Sequence, residues 1–216
     1  SPPLPPATPG AEPVGSYAEL RARLARVDAD ESLTLVLPPG VLALGGEGEL
    51  LLSRGNVTIV GRGGSVLDGE GASRVMRVNG TGALRLLGVE LANGAAGATA
   101  GGALLVEGSH ASVAMEGGRV SGSSARHGGC MAVRAGARLA LRRVPVEACT
   151  ATVGGGGVAV GSASVFEMEG GAIRGCTVAA DVATADGGCM RVGAGGRARL
   201  SEVELSGCVA SSRSGQ

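Results

Sequence analysis

Gly128-Gly129-Cys130-Met131-Ala132-Val133 is one of four versions of a single phrase in this chain. The others are Gly101-Gly102-Ala103-Leu104-Leu105-Val106, Gly155-Gly156-Gly157-Val158-Ala159-Val160 and Gly187-Gly188-Cys189-Met190-Arg191-Val192. They begin at residues 101, 128, 155 and 187, so the intervals are 27, 27 and 32 residues. A period of this size, built from short apolar segments without helical spacing, marks a repeat architecture. Aligning the units gives four columns: Val106, Val133, Val160, Val192; Met115, Leu141, Met168, Leu200; Val120, Val146, Ile173, Leu205; and Ser123, Cys149, Cys176, Cys208. Residues two apart on a strand share a face, and Val113/Met115, Leu139/Leu141 and Phe166/Met168 keep that rule. One coil of strands and turns cannot bury its apolar face alone. Stacking coils at the strand spacing of about 4.8 Å joins the columns into one core. The spacing therefore predicts an all-β, parallel β-helical solenoid of about six to seven coils. The longer third unit carries its extra residues at 177–186, where a loop and a candidate binding face are expected.

Composition narrows the partners. Hydrophobic residues make up 44% of the 216-residue chain, enough for a core, but aromatics only 1%. The core must therefore be built from Val, Leu, Ala and Met, which suits thin stacked coils. The net charge is zero and the 19 basic residues are all Arg, scattered rather than clustered. That argues against nucleic acid as a partner, because such affinity needs concentrated positive charge. No apolar run approaches the length of a membrane-spanning helix, so no membrane insertion is expected. Phosphate-binding loops and Ca²⁺-binding nonapeptides are not found, and no cofactor is expected. Without a Cys-x-x-Cys, and with His110 and His127 off ligand spacing, no metal site is expected.

The five cysteines leave two readings open. Cys149, Cys176 and Cys208 could be stacked buried thiols. Alternatively, in an oxidising compartment, a column cysteine pairs across a turn, with Cys176 and Cys189 the candidate pair. An odd number leaves at least one unpaired within the chain.

The chain divides into a Pro-rich linker (1–15), a capping helix (16–30), the β-helix (31–210) and a polar tail (211–216). Five prolines in the first nine residues favour extended polyproline II. The stretch resembles the spacers of plant and green-algal wall proteins; an ordinary disordered end is the other reading. The chain does not begin with Met, as expected of a mature or excised portion. Ser16 and Glu19 form a capping box, and Leu20, Leu24 and Val27 follow at helical spacing. Such a helix covers the end of a first coil. At the other end, Leu200, Leu205 and Cys208 are expected to form an uncovered edge, met by another subunit or by further coils.

Asn56-Val57-Thr58-Ile59-Val60-Gly61 and Gly63-Gly64-Ser65-Val66-Leu67-Asp68-Gly69, preceded by a helix, resemble the opening coils of the pectin-lyase-like right-handed β-helix superfamily. Gly101-Gly102-Ala103-Leu104 and Gly170-Gly171-Ala172-Ile173 are similar to repeats of polymorphic outer-membrane adhesins, although the companion Phe-x-x-Asn is absent. The resemblance implies a right-handed coil. It also implies one of three roles: cleavage or epimerisation of polysaccharides, binding of glycans or surfaces, or passive structure. Fold alone does not choose among them.

Enzymes of this kind converge several carboxylates on one outward face. Here Asp68 and Glu70 are the best acidic pair, in a Leu-Asp-Gly phrase that also reads as a turn. Aromatic platforms for sugar rings are missing from the outward positions. Asn56-Val57-Thr58 and Asn79-Gly80-Thr81 are glycosylation sequons, the second the better placed. Together these features lead to the expectation of a non-enzymatic structural or adhesive module, extracellular or on a cell surface, with glycans and other subunits as partners. The alternative is a carbohydrate-active lyase, hydrolase or epimerase acting on acidic glycans.

Overall fold

The computed structural model describes residues 10–180 and 185–212. They form a parallel β-solenoid of about six turns with one short helix. Three sheets run along it. The first has thirteen strands and bends around a corner, because Asn56–Asp68 and Ala83–Ala92 each cross from one arm to the other. Beyond them the arms separate. One continues through Ser112–Glu116, Arg138–Arg142, Val165–Glu169 and Arg197–Ser201; the other through Arg119–Ser121, Val146–Glu147, Ala172–Arg174 and Glu204–Ser206. The second sheet stacks six strands, from Leu50–Leu52 through Met131–Arg134 to Met190–Val192. The third stacks four: Ser124–His127, Thr150–Gly154, Thr177–Ala180 and Val209–Ser212.

The predicted columns are the register of these sheets. Val106, Val133, Val160 and Val192 are successive partners. So are Met115, Leu141, Met168 and Leu200, and Val120, Val146, Ile173 and Leu205. Phe166 is fully buried among them.

The repeated Gly-Gly has two distinct jobs. The first glycine turns the chain: Gly128 has φ 61°, and a Cβ on it would stand 2.0 Å from the carbonyl oxygen of Met131. The second lets coils approach: a Cβ on Gly129 would stand 2.3 Å from the Gly156 oxygen of the next coil. No other residue fits either place.

Helix α1 (Tyr17–Arg26) buries Tyr17, Leu20 and Leu24 and lies against the strand Leu50–Leu52 at the mouth of the first coil. The Ser16 hydroxyl accepts the Glu19 N–H at 3.1 Å. The Glu19 carboxylate accepts the Gly15 N–H at 2.9 Å, one residue before the group a capping box uses. The Tyr17 hydroxyl donates toward the Val75 carbonyl at 3.0 Å and lies 3.2 Å from that of Gly48. Burial drives this phenol's pKa far above its ordinary value.

Two expected boundaries shift. The linker does not extend to residue 15: Glu12–Pro13 pairs in parallel with Ser32–Leu37, and Val14 is buried. An Arg23–Glu12 ion pair joins this strand to the helix. The expected loop at 177–186 begins later, because Thr177–Ala180 is a strand of the third sheet. Its central residues, 181–184, lie outside the described residues, as do 1–9 of the Pro-rich stretch and 213–216 of the tail.

Candidate binding groove

Outward positions of the first sheet form a groove of about 610 Å³. Its middle column runs Arg85, Ala114, Ala140, Glu167, Arg199 in register. The next column runs Leu87, Glu116, Arg142, Glu169, Ser201. Two alanines in succession leave the floor low, and the long charged side chains around them make the walls.

The charges pair between coils. Arg142 reaches Glu169 at 2.9 Å. Glu116 is the register partner of Arg142 but pairs elsewhere: with Arg143 at 2.5 Å and with Arg85 at 3.6 Å. Arg143 sits in left-handed backbone at the corner, φ 53°, and reaches back over the preceding coil. The same arrangement recurs on the other faces. Glu107 takes Arg77 from the coil before and Arg134, at 2.7 Å, from the coil after. Glu147 takes Arg119 at 3.8 Å and Arg174 at 2.5 Å. In each case a glutamate lies between an arginine of the preceding coil and one of the following coil. Burial pushes the Glu107 carboxyl up, but the hydrogen bonds from Arg134 and Arg77 outweigh it and hold the pKa below its ordinary value. Glu107/Arg134, Glu116/Arg143 and Glu147/Arg174 are each 27 residues apart, the period of the repeat, but that spacing alone does not choose Arg143 for Glu116 over its register partner Arg142.

Arg74 is buried and fully used. Its Nε donates to the Gly101 carbonyl at 2.9 Å, and its Nη2 to the Ala100 carbonyl at 3.0 Å and the Thr99 hydroxyl at 2.7 Å. Its Nη1 pairs with Glu49. It fastens the loop 93–101, which meets the third sheet through the bridges at Ala95 and Ala100.

Asp68 and Glu70 are not part of the groove. Asp68 Oδ1 accepts the Glu70 N–H at 2.8 Å, and its Oδ2 accepts from Asn93 at 3.0 Å. Glu70 accepts the Gly45 N–H at 2.7 Å and has φ 52°. Both carboxylates are therefore spent on turn hydrogen bonds. Asn56 is exposed at a strand start; Asn79 is half-buried and opens a turn closed by Gly82 N–H to the Asn79 carbonyl at 3.0 Å.

The candidate Cys176–Cys189 pair is not formed. The disulfides are Cys130–Cys149 and Cys189–Cys208, each spanning 19 residues. A cysteine following Gly-Gly meets the column cysteine 19 residues on, within one coil step, not the one preceding it. In the unit between, Gly157 replaces the first partner, so Cys176 remains a buried free thiol. Burial raises its pKa. At the expected edge, Leu205 is exposed, while Leu200 and Cys208 are half-buried and packed on the core.

Fold and groove define a class: a parallel β-solenoid fastened by interior disulfides and by glutamates clasped between coils. No family model matches the chain, and neither the curated proteins nor the solved structures compared with it give a match.

Proposed function

We propose that this chain is a non-enzymatic structural or adhesive module of an extracellular surface, appendage, wall or matrix. The observation that carries the reading is the state of the groove's charges. Glu116 and Glu169 are neutralised by arginines of neighbouring coils, which spends them on register and leaves a ladder rather than a converging acid cluster. The two disulfides suit an oxidising, extracytoplasmic setting. Asn56, exposed, and Asn79 are the candidate glycan acceptors. The partners proposed are other subunits or further coils at the Leu205 edge, and glycans along the groove.

A specific observation favours the second reading, a carbohydrate-active enzyme on acidic glycans. Glu167 stands in the middle column beside Ala140, with Arg85, Arg142 and Arg199 around the same groove. Polyuronates provide the test, with new reducing ends and unsaturated products as readouts. Retention of the polymer without either product is expected. Product formed by the wild type and lost in Glu167→Gln would overturn the structural reading in favour of the enzyme.

A further inference from the structure

A second depression lies where the third sheet turns into the second. Across the Gly-Gly corner there, the column before the glycines adjoins the outward column of the strand after them. The two columns are Ala100, His127, Gly154, Asp186 and Leu105, Ala132, Ala159, Arg191. At one end Ala100 and Leu105 pack together and fill the corner. In the middle Ala132 and Ala159 are too small to fill it, and a notch of about 210 Å³ opens beside His127 and Arg191. At the far end the Arg191 side chain folds back over Gly154. A Cβ on that glycine would stand 2.8 Å from Arg191 Cδ and 3.3 Å from Nη1.

The notch thus has an apolar floor, Ala132 and Ala159, and a cationic rim. His127 faces Arg191 from the second sheet, Arg126 from its own strand and Arg134 from the adjoining one. Two acids temper this. Glu107 is taken up by Arg134 and Arg77. Asp186 Oδ2 stands 3.7 Å from Arg191 Nε, beyond a good hydrogen bond. Arg191 therefore keeps donors for another anion. Arg74 fixes the wall at Ala100 from behind, so the notch is preformed.

We propose that this notch binds a small organic carboxylate, its oxygens at His127 and Arg191 and its alkyl part on Ala132 and Ala159. The volume is below the usual range for drug-sized ligands, about 300–1,000 Å³, which limits the occupant to a few heavy atoms. The alanine floor selects an organic acid over an inorganic anion. The site is separate from the outer groove and does not depend on its role.

Burial and the three arginines hold the His127 pKa below its ordinary value. An anion between His127 and Arg191 offsets that repulsion and raises it, so binding tightens as pH falls through the His127 pKa. The chain has two histidines, and His110 is exposed outside the notch. The imidazole proton resonances can therefore be followed during propionate titration at constant ionic strength. We expect a saturable shift of His127 alone, an upward move of its pKa, and at least tenfold weaker binding in both Arg191→Gln and Ala159→Leu. Propionamide should not bind. Lack of saturation at His127, a response in Arg191→Gln equal to wild type, or an equal response to sulfate would overturn the proposal.

Discussion

Cys176 and Gly157 belong to one unfinished disulfide. A Cβ on Gly157 would stand 3.2 Å from Cys176 Sγ, and the pair has the 19-residue separation of both existing bridges. The wild type should show one thiol when denatured without reductant, and Gly157→Cys should show none by thiol titration. A Gly157→Cys protein that still titrates would mean that the crowding at this position, 2.7 Å from the Cys189 oxygen, prevents closure. Arg74 gives the second residue-scale prediction. Truncation to Ala leaves two carbonyls without this donor and leaves Glu49 only the longer contact with Arg77 at 3.8 Å, and breaking such a network costs about 3–5 kcal/mol. Denaturant unfolding should show that loss. Arg74→Lys should recover little of it, because an ammonium lacks the planar fork that reaches four acceptors. The column cysteines were legible from their spacing, but their partners were not. A 19-residue step could be read only once the coil's path placed position 130 beside 149.

At the scale of strands, the clasped glutamates set register. Exposed pairs of this kind contribute about 0–1 kcal/mol each, so Arg142 with Glu169 guides alignment more than it stabilises. Glu107 is half-buried and accepts from two arginines, and charge-assisted hydrogen bonds contribute about 1.5–3 kcal/mol. Its pKa is lowered on folding, so its contribution is fully present above the unfolded value and lost as pH falls through the folded one. Compared with wild type, Glu107→Gln should be less stable at neutral pH, and the difference should shrink on acidification below about pH 4.5. Melting curves across that range check it; a pH-independent difference would contradict the charge assignment. The columns were legible at this scale because alternation and the coil step fix both strand face and stacking. The shift of Glu116 from Arg142 to Arg143 was not, because it depends on the left-handed turn at the corner.

For the whole molecule, the two ends differ. Helix α1 covers the first coil, whereas Val192, Leu205 and Val209 are exposed, at 42%, 49% and 55%. An apolar strand edge of this kind templates pairing with another chain. Light scattering against concentration should show association that Leu205→Lys with Val209→Lys abolishes. Scattering that is monomeric in both proteins would remove this edge as a subunit contact.

The sequence by itself determined the solenoid, its inward columns and the capping helix. Those features depend on period and on face alternation, both local or repeated at a fixed step. Only the tertiary structure decided which charges meet, which cysteines bond and where the chain leaves space. The outer groove exists because Ala114 and Ala140 fall between longer neighbours. The corner notch exists because Ala132 and Ala159 lie beside the longer His127 and Arg191. Each is set by side chains one coil apart meeting around a bend, and the angle of that bend is fixed by packing.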